Sequence, residues 1–68
     1  MVNDKEARVK LGKKLKEARE KKEMTQSEVA TLANIHVNYY ARVERGEENP
    51  SLDKLRKIAE ILNVTIQL

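Results

Sequence analysis

The chain has no cysteine, no tryptophan and no phenylalanine, and its 68 residues include two tyrosines, two glycines, one proline and one histidine. Without cysteine there is neither a disulfide framework nor a thiolate zinc site, and a reducing compartment is expected. With so few aromatics the core must be assembled from Leu, Ile, Val and Ala, which favours an all-α fold over a sheet. No long apolar run is present, so neither a signal peptide nor a membrane span is predicted and a cytoplasmic location is expected. The two glycines, Gly12 and Gly46, are far apart, so there is no glycine-rich phosphate loop. A lone histidine gives little material for a metal centre or a hydrolytic triad. No enzyme, no metal and no cofactor are therefore expected.

A chain of 68 residues is read as one domain, 1–68, with a core over 7–62. A domain of this size buries only about 60% of the surface its unfolded chain exposes. The formal charge is +3 and unevenly spread. Residues 1–23 hold nine Lys/Arg against five Asp/Glu, and residues 24–68 hold five against six. A basic balance suits nucleic acid or another anionic partner. A solvated helix face explains it equally well, so charge alone decides nothing.

Periodicity supplies the elements. Asn3 with Glu6 forms a capping-box pattern that starts a helix near Asp4. Ala7, Leu11, Leu15 and Ala18 then recur at helical spacing to about Lys22. Gly12 inside this helix marks close packing against another helix. The basic residues Lys10, Lys13, Lys14, Lys21 and Lys22 are scattered around it, and the narrow apolar stripe does not suit a membrane surface. Thr25 and Glu28 form a second capping box, and Val29, Ala30, Leu32 and Ala33 supply the buried side of a short helix that ends at Asn34. A third helix runs from Val37 to about Arg45 and stops at Gly46. Ser51 caps a fourth, Leu52 to about Leu62. Val64, Ile66 and Leu68 alternate with Thr65 and Gln67, which predicts a short strand-like tail over 63–68.

The second and third helices are separated only by Asn34, Ile35 and His36, a turn that forces a steep crossing and leaves the third helix projecting. Within Leu15–Leu62, Arg19, Thr25-Gln26, Arg42-Val43-Glu44-Arg45-Gly46 and Asn49-Pro50-Ser51-Leu52 stand at their proper spacing. With these pieces the chain resembles the helix-turn-helix family of phage repressors, Cro proteins and their bacterial relatives. Asn34 replaces the family's usual Gly, a change both residues' tolerance of left-handed backbone permits. The family's fifth helix has no counterpart here.

The resemblance implies a compact four-helix repressor-like domain that lays its third helix in the major groove of double-stranded DNA. It places Val37, Asn38 and Arg42 at base edges. Positions 37, 38, 41 and 42 share one side of a helix, and Ala41 would allow close approach. Asn38 suits adenine, Arg42 guanine, and Val37 a thymine methyl. Gln26 corresponds to a backbone-phosphate contact at a helix start, and His36, Tyr39 and Arg45 are further phosphate candidates. Arg19 and Glu44 match the family's structural ion pair. Tyr40 and Val43, on the inward face, are read as core.

A single recognition helix reads too few base pairs for genomic specificity, so a homodimer on a palindromic operator is expected. The apolar tail would pair with its twofold mate as a ribbon, as in related antitoxins, or pack on the partner's fourth helix. The resulting function is a transcriptional regulator, in the first instance a repressor. The alternative is an antitoxin or adaptor acting mainly through protein contacts, with a toxin as partner. The polar, small outer face of the third helix favours DNA, because a protein-binding helix would carry aromatic or Leu anchors there.

Overall fold

The computed structural model describes residues 4–66. Four helices follow in order, α1 (Lys5–Lys21), α2 (Gln26–Ala33), α3 (Val37–Glu44) and α4 (Leu52–Leu62). Every start is capped by a side chain. Asp4, one residue later than the expected Asn3, accepts from the Glu6 N–H at 3.0 Å; Asn3 itself lies outside the described residues. Thr25 and Glu28 close a reciprocal box at 3.0 and 2.7 Å. His36 Nδ1 accepts from the Asn38 N–H at 3.0 Å, and Ser51 Oγ from the Lys54 N–H at 3.3 Å.

The four ends repeat one device. A left-handed residue follows each helix: Glu23 (φ 57), Asn34 (φ 58), Gly46 (φ 76) and Asn63 (φ 56). The next residue's N–H then reaches back five positions, as in a Schellman turn. These bonds are Met24 to Arg19, Ile35 to Ala30, Glu47 to Arg42 and Val64 to Ala59, at 3.1, 3.0, 2.9 and 2.9 Å. In three of the four the reversing residue is apolar, and Met24, Ile35 and Val64 all pack onto the core. The helix-turn-helix corner at Asn34 is thus closed by hydrogen bonding and by burial of Ile35.

Leu15, Val29, Tyr40, Leu55 and Ile58 are the largest fully buried side chains. They fill the space where α1 and α2 each pack against both α3 and α4. The inward face of α1 is formed by Arg8, Leu11, Gly12, Leu15, Ala18 and Arg19, at helical spacing, with Leu11 and Ala18 half-buried against the core as expected. Ala7, expected in the stripe, sits one position off that face and is exposed. Leu32, expected on the buried side of α2, is 64% exposed. At 100° per residue it lies about 110° from the centre of the face formed by Gln26, Val29, Ala30 and Ala33.

The expected strand is not formed over residues 64–66, and among the described residues there is none; Gln67 and Leu68 lie outside them. A strand needs ladder partners, but the Val64 N–H is committed to Ala59 and the Thr65 carbonyl accepts from Lys14 Nζ at 3.3 Å. Val64 and Ile66 instead lie half-buried against the core. No helix among the described residues is long and apolar enough to cross a membrane.

Gly12 sets how closely α1 approaches α3. A Cβ there would stand 2.3 Å from the Glu44 carbonyl oxygen and 2.6 Å from that of Val43. Alanine ordinarily favours a helix interior by about 1 kcal/mol over glycine, but this clash is with backbone and cannot be relieved by a rotamer change. Gly12→Ala is expected to destabilise the protein by roughly 1–3 kcal/mol or more. The check is the urea unfolding midpoint, and a variant as stable as the parent would refute the close contact.

Candidate nucleic-acid interface

The site is built on a bracket that joins three helices. Glu44, in the last turn of α3, is buried. Its carboxylate accepts from Arg19 Nε at 2.7 Å and Nη2 at 3.2 Å, and from Gln26 Nε2 at 2.9 Å. Arg19 Nη1 also donates to the Met24 carbonyl at 2.9 Å. One carboxylate therefore ties α1, the turn after it, and the first residue of α2 to the end of α3. Burial pushes the Glu44 carboxyl up, but the Arg19 hydrogen bonds, the adjacent Tyr40 hydroxyl, the Gln26 amide and the Arg19 charge together outweigh it and hold it below its ordinary value. Hydrogen bonding to Glu44 in turn raises Arg19. The Tyr40 hydroxyl is buried without reaching hydrogen-bond geometry to any partner among the described residues. Burial first, and the Glu44 carboxylate next, push it above its usual range, so it remains protonated.

With Tyr40 and Val43 buried beneath it, α3 presents its other side outward. Asn38 is exposed, and Ala41 and Arg42 are half-buried beside it. The Arg42 side chain is 41% exposed and its Nε donates to Glu48 Oε2 at 2.8 Å. Val37, expected in the same outward group, is half-buried and packs against the core, so part of its surface is turned inward.

The expected phosphate residues are also distributed around α3. His36 is exposed and its Nδ1 is engaged in capping. Tyr39 is half-buried, with Lys54 Nζ 4.7 Å from its ring centroid. Arg45 is exposed and grips Glu47 by two bonds of 3.0 and 3.1 Å. Gln26, expected as a backbone-phosphate contact, is half-buried and donates one N–H to Glu44; an amide nitrogen carries two, so one is left for another acceptor.

Three neighbours of this surface were not read from the sequence: Glu47, Glu48 and Lys54. Periodicity could not place Glu47 and Glu48, which lie in the loop beyond α3, nor show that Lys54 of α4 approaches Tyr39. The usable signal was an acidic pair placed directly after an arginine-bearing helix end and its glycine. Among the described residues no group of three or more His, Cys, Asp or Glu could hold a metal ion.

Residues 15–68 match the protein family described as Helix-turn-helix. The chain is 44% identical over 55 residues to the HTH-type transcriptional regulator ImmR of Bacillus subtilis, covering 81% of this chain and 43% of the relative. It is 34% identical over 56 residues to the immunity repressor protein of Bacillus phage phi105, covering 82% of this chain and 39% of the relative. The chain thus spans less than half the length of these two. It is 36% identical over 58 residues to control protein C.BamHI of Bacillus amyloliquefaciens, covering 84% of this chain and 72% of that protein. The solved structure of the restriction-modification controller protein C.AhdI from Aeromonas hydrophila superimposes with a TM-score of 0.79 at 37% identity, covering 84% of this chain and 86% of that one.

Removing one partner of a buried ion pair costs about 3–5 kcal/mol, against a total stability of about 3–10 kcal/mol for a chain of this size. Glu44→Ala is expected to be largely unfolded at physiological temperature by circular dichroism. The intact bracket should show its own pH dependence. Because the folded Glu44 carboxyl titrates below its unfolded value of about 4.3, its stabilising contribution is complete above that value and is lost as pH falls through the folded one. Urea stability should hold steady down to about pH 5 and then decline, with a shallower decline in Glu44→Gln. Equal acid limbs in the two proteins would refute the assignment.

Proposed function

This chain belongs to the helix-turn-helix family, and from that premise we propose that it is a sequence-specific transcriptional regulator, in its simplest use a repressor, that places α3 in the major groove of double-stranded DNA. The carrying observation is the outward side of α3, where Asn38 is exposed and Arg42 remains 41% exposed in its side chain, on a helix whose other side is buried. The names of the relatives, transcriptional regulator, immunity repressor and control protein, support the same reading.

In this reading Asn38 and Arg42 supply hydrogen bonds to adenine and guanine edges, and Ala41 keeps the path to the groove floor clear. Val37 adds an apolar edge while also packing on the core. Gln26 uses its second amide N–H on a phosphate oxygen, so that the group orienting Glu44 also sets the height of α3 above the groove. Tyr39, His36 and Arg45 flank the groove as backbone contacts. Arg45 can do so with the three N–H donors that its Glu47 pair leaves unused.

The working unit is a cytoplasmic homodimer that sets two α3 helices about one DNA turn, ~34 Å, apart on a palindromic site. The open groove between α4 and the tail, lined by Leu52, Leu55, Ala59, Val64 and Ile66 among others, supports packing on a partner's α4 over a paired ribbon. The Val64 N–H and the Thr65 carbonyl, which a ribbon could use, already bond within the chain. Sedimentation is expected to give twice the chain mass at tens of micromolar.

Selection from a random duplex library should return a defined sequence, with a steep loss of affinity as salt rises. Arg42→Ala is expected to weaken the selected site by about 1–3 kcal/mol and to relax preference at one base position. Gln26→Ala should weaken all sequences alike, and a changed consensus in that variant would contradict its role. A library that returns no preferred sequence would refute the regulator reading and favour the adaptor one.

A further inference from the structure

We infer that Glu48 is the positioning residue for Arg42: by accepting its Nε–H, Glu48 turns the guanidinium so that its two terminal nitrogens are offered to a base. The inference rests on the DNA-binding reading above and adds to it a residue from outside α3.

The two arginines near the end of α3 are paired differently. Arg45 spends two donors on Glu47, through Nε at 3.0 Å and Nη2 at 3.1 Å. Arg42 donates to Glu48 through Nε at 2.8 Å. A guanidinium has five N–H donors, four of them on the terminal nitrogens. Arg45's pair leaves three terminal N–H groups unused, whereas Arg42's leaves all four. Arg42 can keep its pair and still present a two-pronged end, the arrangement that matches O6 and N7 of guanine.

Glu48 is brought to Arg42 by the backbone. Gly46 adopts φ 76 and the Glu47 N–H returns to the carbonyl of Arg42 itself at 2.9 Å. Pro50 is buried at the far end of the same loop, so residues 47–49 span two anchored points. The Arg42 and Glu48 side chains are 41% and 31% exposed, partly sheltered beside Tyr39. Burial first, and then the Glu48 charge, raise the Tyr39 phenol while Arg42 opposes them. An arginine restrained in this way has less rotamer freedom left to lose on docking. Glu48 also adds a negative charge near the phosphates, so its expected effect is to raise discrimination and not overall affinity.

The test uses the duplex selected by the parent protein, the base whose identity Arg42→Ala ceases to read, and a second duplex substituted at that base. Affinities for the two duplexes are measured by fluorescence anisotropy at one salt concentration. Glu48→Ala is expected to reduce the ratio between them by about fivefold or more, the low end for one bidentate base contact, with ratios at other positions unchanged. Glu48→Gln keeps an acceptor for Nε and should retain most of the ratio. Glu47→Ala removes the same charge from the same loop and should shift both duplexes alike. In an Arg42→Ala background, Glu48→Ala should leave the ratio untouched. The inference is overturned if Glu48→Ala behaves as Glu47→Ala does, if it sharpens discrimination, or if Arg42→Ala exposes no base at all. A parent protein that selects no sequence removes the regulator reading together with this one, and so is distinguishable from a failure of Glu48 alone.

Discussion

The whole arrangement depends on one buried carboxylate. Glu44 sits in the last turn of α3, where the helix dipole disfavours a negative charge, and burial disfavours it again. It is tolerated because Arg19 meets it side-on with two hydrogen bonds and Gln26 supplies a third. Such a pair is weak evidence for net stability, since well-packed apolar groups of equal volume often do as well. What an apolar cluster would not supply is direction. The planar fork of Arg19 accepts the carboxylate in one orientation, and that orientation fixes α3 relative to α1 and α2 at once.

The fork can reach Glu44 only because α1 lies close to α3. Gly12, Leu15 and Arg19 fall on one face of α1, and the glycine lets that face rest on the carbonyls of Val43 and Glu44. Contact distance and ion-pair geometry are therefore one constraint. Enlarging the glycine moves the guanidinium, and removing the carboxylate leaves a sheltered cation without its partner. The outward residues of α3 inherit their positions from this joint. The N-terminal end of α3 is held separately by the His36 cap on the Asn38 N–H, so α3 is fixed at both ends.

The parts legible in the sequence were those written in local chemistry. The Thr25–Glu28 box, the left-handed residue at Asn34, the Ser51 cap and the close packing at Gly12 each have a mechanism contained within a few residues. Helix faces were legible less sharply. Ala7 and Leu32 are apolar but lie roughly one residue's rotation, about 100°, from the faces actually used, which are centred on Leu15 and between Val29 and Ala30. The tail misled for a different reason. Alternation describes side chains, whereas a strand also needs free backbone groups, and the Val64 N–H and the Thr65 carbonyl are taken by Ala59 and Lys14. The site was half legible: the outward residues of α3 could be placed by helical phase, but the partners of Arg42 and Arg45 come from a loop that has none.

That loop changes how the surface should be understood electrostatically. A face that bound DNA by charge alone would leave its arginines free, and non-specific duplex would then hold it nearly as well as a preferred site. Here each arginine near the end of α3 has a carboxylate within hydrogen-bond reach, supplied by the reversal at Gly46. The basic residues are concentrated instead in α1, where their attraction is long-range and indifferent to sequence. Under the proposed function, attraction and reading are thus separated along the chain. On that proposal a duplex is attracted by charges on α1 that cannot discriminate, while Arg42 keeps its Nε–H on Glu48 and offers its terminal nitrogens to the edge of a base.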